Sequence, residues 1–497
     1  MKLTTSTFNV QAKSVIAVLL LSVSGVLAAT PKPIPTPRQP RVANTAVQLR
    51  IGGVPSDSVI CFEMKLSSVV ATNANGTTVQ LLSSPVAVEI MHWAGDSETV
   101  ALSNLPQGQY SQIAITAKAA KATSLDPVSG MLVTKTLANS YSTTFRYSPK
   151  LTVSRTPIIL NLQVSPGSVV NASVLGSNAG GNSAQMFRIA THQINTIGVQ
   201  KPENGRIQRI VGVVTSSSNG TMTVQNGQTG TSLTFQIDQN AQFQSATRST
   251  LNGMIVAVRG QSGTNGNLVA TDIEALENQH GSVVDGVISG LIPNSPSMTL
   301  ALQDGSGSGL KNSLVGSGIS MDPSENPNFT VDTHGIDMTG MASLTFDSNS
   351  LVLGQHVQLQ SMRGMQHGGN GNAAAVLPET VVLEPQSLIG TVSNYQAGTT
   401  PGTFSFDLVF ATNASMNVIN PFFYTMHVYQ QRGTDMHVSA GIRNGSKVQV
   451  WGLVFYSQLP KGSAAIIRAA GRGAHRFLGR MEESPSFIMV AGRIASK

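Results

Sequence analysis

The chain has 497 residues, a length at which about three to five domains are expected. Charged residues make up only 11 % of it, and the formal net charge of +7 is spread thinly, which excludes the dense basic face of a nucleic-acid-binding protein. Val, Ile and Thr dominate the regular segments, and Gly, Ser, Asn and Gln separate them, so the composition favours strands and turns over helices.

The N-terminus has the pattern of a secretory signal peptide over residues 1–29. Lys2 and Lys13 precede an apolar run at 14–21, and small residues follow up to Ala29, where cleavage is expected. A retained membrane anchor is the alternative, but the apolar stretch of about 15 residues is shorter than the roughly 20 that span a bilayer. The pattern therefore predicts an exported protein, periplasmic or extracellular, with no integral membrane segment after cleavage.

The next two segments are a linker and a first domain. The proline-rich stretch at 30–45 is typical of an extended linker, either a simple spacer or a tether to the cell surface. The segment 46–173 contains many short strand-like runs, separated by turn signals such as those at 73–76 and 165–167. Short strands at this spacing predict a β-sandwich.

Three phrases in this first domain resemble domain-of-unknown-function family 4382. They are Val54-Pro55, the Leu-Pro-x-Gly-x-Tyr-x-x-Ile phrase at 105–113, and the apolar strand at 158–163. The resemblance implies an exported bacterial protein with a sandwich similar to carbohydrate-binding or transthyretin-like domains. The family's usual Thr-Asp-Ala-Pro start is replaced here by Gly-Gly-Val-Pro at 52–55, so any role of that acid is lost in this chain.

A recurring phrase sets the organisation of the rest of the chain. A Gly turn, alternating apolar residues and another Gly occur at 251–260, again at 442–452, and more loosely at 353–360. Such fixed-order self-similarity predicts tandem modules. Five short strands in a module fit a small OB-like β-barrel, whose closure leaves no exposed sheet edge.

The predicted fold class is therefore all-β, with an N-terminal β-sandwich followed by two or three small OB-like β-barrel repeats. In the tail, the apolar run at 487–490 either adds one strand to the last module or stays loose. The predicted boundaries after the sandwich are a linker at 174–205 with room for one strand at 185–190, barrel repeat 1 at 206–277, barrel repeat 2 with a long insertion at 281–385, barrel repeat 3 at 387–470, and a basic tail at 471–497.

The repeats resemble domain-of-unknown-function family 5666 in the phrases at 212–214, 252–260 and 268–273. The resemblance implies exported, often tandem modules without an established catalytic role. The sequence itself contains no nucleophile elbow, zincin helix, Walker loop or paired cysteines. Its one cysteine, Cys61, is expected to be a buried, inert thiol. We therefore expect no enzyme, no catalytic residue and no cofactor; a hydrolase would need a convergent acid pair or a Ser-His-Asp site.

The leading functional hypothesis is an exported, non-catalytic binding or scaffolding protein of the bacterial cell envelope. Its expected partner is cell-surface polysaccharide or another envelope protein. The candidate ligand-binding residues are Trp93, His92 and Asp96, because an aromatic side chain in a turn beside polar groups can stack on a sugar ring. A second aromatic group, which includes 421–424 and Trp451, is expected to face the core.

The alternative hypothesis is a periplasmic copper-binding protein that uses a Met/His-rich loop. Thioethers and imidazoles together suit copper, and such side chains collect in the second and third repeats. No regular spacing recurs among them, so no metal ligand is assigned, and the competing interpretation is that the methionines fill gaps in the core. The residues concerned are His334, Met338, Met341, His356, Met362, Met365, His367, Met426, His427, Met436 and His437.

Overall fold

The computed structural model describes residues 43–497 with internal gaps, and these residues belong to one compact body. The predicted signal peptide and nearly all of the predicted linker at 30–45 lie outside the described residues. In the part of the chain that the structure describes, no helix has the length and apolar character needed to cross a membrane. The gaps are 57–58, 127–130, 138–139, 171–182, 195–205, 219, 228, 279, 292–296, 311–314, 322–325, 334, 342–343, 364, 366–374, 399–401, 411–424, 439–440 and 457–486.

The elements confirm the all-β prediction. Within the described ranges the exceptions to strand are a 3-10 turn at Pro166–Ser168 and a one-turn helix at Ser183–Met186. The sandwich strands are β1 (Asn44–Gly53), β2 (Cys61–Asn73), β3 (Thr78–Gln80), β4 (Val86–Glu89), β5 (Glu98–Pro106), β6 (Gly108–Leu125), β7 (Leu132–Thr136), β8 (Ser140–Val153), β9 (Ile158–Val164) and β10 (Phe187–Gln193).

Three further groups of strands follow along the chain. The first group is β11 (Arg206–Ser218), β12 (Thr221–Asn226), β13 (Ser232–Gln244), β14 (Ile255–Ser262) and β15 (Leu268–Glu277). The middle group is β16 (Ser282–Leu291), β17 (Met298–Gly307), β18 (Gly318–Met321), β19 (Asn328–Val331), β20 (His356–Ser361), β21 (Ala375–Val376) and β22 (Thr380–Leu383). The last group is β23 (Gln386–Ala397), β24 (Phe404–Val409), β25 (Thr425–His437), β26 (Lys447–Tyr456) and β27 (Phe487–Ser496).

Two sheets form the N-terminal sandwich. One has the strand order β10-β9-β1-β5, and the other has the order β3-β2-β6-β7, with β4 added to β2 and β8 added to β6. Alternate side chains of both sheets, among them Leu49, Phe62 and Ile113, meet in one apolar core where they are fully buried. Burial of each such side chain contributes about 1.5–3 kcal/mol. The outermost strand of the first sheet, β10, comes from the segment that the sequence indicated as a linker.

The first and last groups each close into a five-stranded barrel of the same plan. The orders are β11-β12-β13-β15-β14 and β23-β24-β25-β27-β26, and in both the first strand also pairs with the fourth. The third and fifth strands run parallel while the other neighbours are antiparallel. This order of strands is that of an OB-fold, so the OB-like prediction is confirmed for these two modules.

The last barrel closes with a strand that the sequence boundaries placed in the tail. β27 pairs with β25 on one side and β26 on the other, and Met489 and Ile494 from it are fully buried. The barrel therefore extends to Ser496 and does not end near 470.

The middle group follows the same plan with two strands interrupted. β18 and β19 together take the position that β13 has in the first barrel, and β18 pairs with β17. β21 and β22 together take the position of β15, and they run parallel to β18 and β19 respectively. The result is a seven-stranded sheet with the order β19-β22-β20-β16-β17-β18-β21, not a continuous ring. In this repeat each of the two strands that would close the barrel is therefore divided into two short pieces.

The recurring Gly residues have a backbone cause. Gly253, Gly354 and Gly445 stand at the same place before the fourth strand of each module, with φ of 79°, 84° and 87°, a region that other residues rarely adopt. Gly260 and Gly452 lie inside that strand, where a Cβ would stand 2.0 and 2.2 Å from a carbonyl oxygen of the neighbouring strand. The repeated phrase thus encodes a left-handed turn followed by a close approach of two strands.

Apolar side chains pack across the boundaries between modules. Cys61 of the sandwich lies in one cluster with Ala301 of β17, and Ile255 of the first barrel lies in one with Val283 of β16. Phe455 of the last barrel belongs to the core of the middle module. These contacts hold the modules against one another, so polar residues at the boundaries occupy defined positions.

Candidate metal centre at a module boundary

Two histidines and an aspartate converge where the sandwich meets the middle module. His92 lies in the turn that follows β4, Asp285 lies on β16, and His356 begins β20. Each offers one potential ligand atom, and these three atoms lie within 4.8 Å of one another. Within the described residues this is the one group of three or more His, Cys, Asp or Glu side chains that meets in this way.

Strand register brings two of the three together. β16 and β20 are antiparallel, with Asp285 opposite Gln358 and Val287 opposite His356. Asp285 and His356 are therefore diagonal neighbours on one face of the sheet, close enough for polar side chains to meet. The third residue, His92, is supplied by the sandwich, so the site exists only because the two modules pack together.

The distances between the ligand atoms are short. Asp285 Oδ1 lies 2.7 Å from His356 Nε2 and 3.8 Å from His92 Nδ1. The side chains of the three residues are 6 %, 8 % and 11 % exposed, respectively. At 2.7 Å a protonated His356 forms an ion pair with the Asp285 carboxylate, and both atoms are buried.

The surroundings of His356 fix which ring nitrogen faces Asp285. Nδ1 of His356 lies 3.2 Å from the carbonyl oxygen of Pro385, which can only accept, so Nδ1 carries a hydrogen. A neutral ring would then present the lone pair of Nε2 to the Asp285 carboxylate at 2.7 Å. Two lone pairs at that distance repel each other, so the gap needs positive charge, either a proton or a metal ion.

A chain of hydrogen bonds orients the carboxylate from behind. Gln358 Nε2 donates to Asp285 Oδ2 at 3.3 Å, and Arg209 Nη2 donates to Gln358 Oε1 at 2.9 Å. Arg209 also pairs with Glu384 at 2.6 Å. Partners of this kind behind a ligand are typical of metal sites, where they set the direction of the ligand.

Glu89 shapes the turn that carries His92. Its carboxylate accepts hydrogen bonds from the backbone N–H groups of Phe62, Met91 and His92 at 2.7, 3.0 and 2.6 Å. Burial raises the pKa of Glu89 to about 8, although these three donors oppose the rise. The turn is thus held by a carboxyl group that lies entirely within the protein.

The electrostatics of the centre favour a cation. Burial lowers the pKa of His356, but the carboxylate of Asp285 outweighs it and the pKa rises to about 9. Burial would raise the pKa of Asp285, but His356, His92 and Arg209 hold it well below its usual value. Burial and the adjacent Asp285 charge raise the pKa of Asp304, which lies directly opposite on β17. At neutral pH the imidazole of His356 therefore carries a proton, which a metal ion would have to displace from Nε2.

A narrow cleft of about 80 Å³ borders the two histidines. It admits a few atoms, and its walls include Ser56, Gln303 and Gln386, whose polar groups could meet a water or a small ligand. Gln386 also accepts from the backbone N–H of His356 at 2.9 Å.

The donor set suits a divalent transition metal. Two imidazoles and one carboxylate bind Zn²⁺, Fe²⁺, Ni²⁺ or Cu²⁺, with bonds of about 2.0–2.2 Å. Ligand atoms on one such ion lie roughly 3 Å apart. The separations from Asp285 Oδ1 are 2.7 and 3.8 Å, and all three atoms lie within 4.8 Å of one another, so the side chains would have to shift to bind one ion together. The three residues supply donor types that such an ion accepts, and the cleft lies beside the two histidines.

The three residues predicted to bind a sugar lie in one turn, where the rings of His92 and Trp93 are in edge contact at 4.5 Å. Trp93 is only 7 % exposed, so its ring offers little open face for stacking, and sugar binding at this turn stays a prediction. His92 belongs to the metal centre, and Asp96 lines a different cavity at the boundary with the last barrel.

The described members of the Met/His group lie in several different places. Met338, Met341 and Met365 pack into or against the core of the middle module, as the competing interpretation states, and Met362 is 58 % exposed. His356 is the member of this group that reaches the centre. His427 and His437 each pair with an adjacent aspartate, Met426 is buried in the last barrel, Met436 is exposed, and His334, His367 and 421–424 lie outside the described residues.

Sequence reasoning assigned no role to Asp285. The structure places it inside β16, within the run Val283-Val284-Asp285-Gly286-Val287. A charge inside an apolar strand was the available signal, because a buried carboxylate requires a partner.

Comparisons with other proteins assign no family. No protein-family model matches the chain, and no curated protein matches it either. The two family resemblances therefore stay predictions, and the centre must be interpreted from its own geometry.

Proposed function

We propose that this protein is an exported, non-catalytic scaffolding protein of the bacterial cell envelope in which a divalent transition-metal ion fixes the sandwich to the middle module. His92, Asp285 and His356 would hold the ion. The observation that carries the proposal is the convergence of these three ligand atoms from two modules within 4.8 Å.

The arrangement can hold either a proton or a metal ion. A proton on His356 Nε2 pairs that ring with Asp285, while His92 lies 3.8 Å from the same carboxylate and in edge contact with the His356 ring. An ion draws on both rings and the carboxylate at once, and it adds positive charge next to the buried Glu89 and Asp304.

The donors favour zinc-like ions over copper(I). Copper(I) selects soft thioether and thiolate ligands, whereas the two imidazoles and the carboxylate of this group are harder donors. The proposed metal site therefore uses nitrogen and oxygen ligands in place of the sulfur-rich loop of the copper-binding alternative. His356 is the residue that both hypotheses have in common.

A structural role follows from the origin of the ligands. Because one ligand comes from the sandwich and two from the middle module, the binding free energy of the ion adds directly to the stability of their boundary. The rigid body would present its outer surfaces to a polysaccharide or to another envelope protein, the partners expected from the sequence.

The experiment is metal titration of the purified full chain after treatment with a chelator. Co²⁺ serves as the spectroscopic probe, and bound Zn²⁺ is counted by elemental analysis. We expect one equivalent of tightly bound ion, lost in His356→Gln and strongly weakened in His92→Gln.

The matched control is His427→Gln. His427 also lies 2.8 Å from an aspartate, Asp407, but no third ligand faces that pair in the described structure. This variant should bind metal as the unchanged chain does. Less than a fifth of an equivalent in the unchanged chain, or equal loss in the control, would reject the proposal.

A further inference from the structure

A second cavity lies between the sandwich and the last barrel. Its volume is about 260 Å³, somewhat below the range of pockets for drug-sized ligands. The turn after β4 and strand β9 form one wall, and β25, β26 and β27 form the other. The lining residues are Gly95, Asp96, Ser97, Asn161, Gln163, His437, Gln449, Trp451, Arg493 and Ala495.

Carboxamides dominate the polar lining. Asn161 and Gln163 alternate on β9 and face the cavity from the sandwich, while Gln449 faces it from β26. The Oδ1 atom of Asn161 is buried and accepts no hydrogen bond from a described residue. A buried acceptor of this kind is costly unless a ligand or water donates to it.

The charged groups of the lining are fixed by one another. Arg493 donates to the carbonyl oxygen of Gly95 at 2.7 Å and lies 3.7 Å from Asp435. His437 lies 2.8 Å from the same aspartate. Asp96 lies on the opposite wall, and Arg50 and Arg206 also act on its carboxylate, so the cavity is surrounded by charges of both signs.

Trp451 supplies an aromatic surface beside these polar groups. It is partly exposed, and the guanidinium of Arg493 lies over its ring at 5.8 Å, which holds the indole in place. The expectation that Trp451 is simply a core residue is therefore incomplete.

We propose that this cavity binds a neutral saccharide, one pyranose ring at a time. Hydroxyl groups both donate and accept, so they match carboxamides, which do the same, and the apolar face of a sugar ring matches an indole. The small volume suits a single ring, and the charged groups around it are fixed by one another, which favours a neutral sugar over a uronate. The inference is independent of the metal centre, because the two sites share no lining residue.

The test is ligand-observed NMR on the full chain, with the methyl glycosides of glucose, galactose, mannose and N-acetylglucosamine as probes and glucuronate as the charged comparison. We expect saturable binding of at least one neutral glycoside. Asn161→Ala and Gln449→Ala should each weaken it about tenfold, the loss that follows when one buried hydrogen-bond partner is removed. Gln236→Ala, on the exposed face of the first barrel, is the matched control and should change nothing.

A second measurement uses the two tryptophans of the chain. In Trp93→Phe, Trp451 is the remaining indole, and its emission should shift with the same saturation curve. Absence of any saturable signal up to tens of millimolar, or binding that the Asn161 and Gln449 variants leave intact, would overturn the inference. Binding that persists in His356→Gln separates this site from the metal centre, so either proposal can fail alone.

Discussion

Replacing Asp285 by Asn is the sharpest perturbation of the metal centre. The change keeps the shape of the side chain but removes the charge that faces His356 at 2.7 Å. Removing one partner of a buried ion pair typically costs about 3–5 kcal/mol, because the other charge stays buried without compensation. Unfolding entropy of about 2 cal/mol/K per residue gives about 1 kcal/mol per kelvin for this chain. The thermal midpoint should therefore fall by about 3–5 °C in the presence of chelator.

The size of the stability difference depends on pH, and the titration of His356 determines whether it grows or shrinks as the pH rises. The pKa of this histidine is raised from 6.5 to about 9 in the folded protein, so the stability it contributes is fully present below pH 6.5 and is lost as the pH rises through 9. The difference between the unchanged chain and Asp285→Asn should thus be largest near pH 6 and smaller at pH 9.

Metal binding adds a second difference in thermal midpoint between the unchanged chain and Asp285→Asn. At a free concentration one hundred times the dissociation constant, an ion that binds only the folded state contributes about 2.7 kcal/mol, or about 3 °C here. The unchanged chain should gain this shift and Asp285→Asn should not. Differential scanning calorimetry with and without Zn²⁺ measures both effects.

Asp407→Asn is the control for the ion-pair effect. Its histidine partner is 32 % exposed, and exposed pairs contribute about 0–1 kcal/mol, so the midpoint should move by at most about 1 °C. If Asp285→Asn behaves like this control in chelator and gains the same shift with metal as the unchanged chain, the reasoning about the centre is refuted.

Three further predictions concern the packing around the site. Burial raises the pKa of Glu98 well above 4.5, so the buried carboxyl group lowers the free energy of unfolding as the pH rises above 4.5. Glu98→Gln keeps the contact with Asn226 and should match the unchanged chain at pH 5 but be more stable at pH 8. Urea unfolding measures this difference, and equal curves for the two proteins at both pH values would contradict it. Cys61 is 1 % exposed and burial raises its thiol pKa, so a disulfide reagent should label it only as fast as the protein unfolds, and rapid labelling of the native chain would show the packing to be wrong. Gly260→Ala places a Cβ 2.0 Å from the carbonyl oxygen of Val269 and should cost about 1–3 kcal/mol, read from the thermal midpoint; an unchanged midpoint would refute the close approach.

The modular plan was readable in the sequence because local rules encode it. Alternating apolar residues mark the strands, and Gly253, Gly354 and Gly445 mark the same left-handed turn in each module. Repetition of that turn and strand in fixed order was enough to predict OB-like units. These features depend on neighbours in the chain, which a sequence pattern reports directly.

The closing strand of the last barrel was harder to place for a physical reason. Residues 457–486 separate β26 from β27, so no short-range signal joins the two strands. Only pairing in space, with β25 on one side and β26 on the other, makes β27 part of the barrel. The broken strands of the middle module escaped prediction in the same way.

The chain's own order of residues thus determined its strands, its turns and the plan of its barrels, since each depends on backbone conformation over a few positions. Only the tertiary structure brought His92 to Asp285 and His356, and only it buried Trp93. The reason is that these contacts arise where separate modules pack together. Which ligands meet at a site, and how exposed an aromatic ring is, depend on residues that lie far apart along the chain.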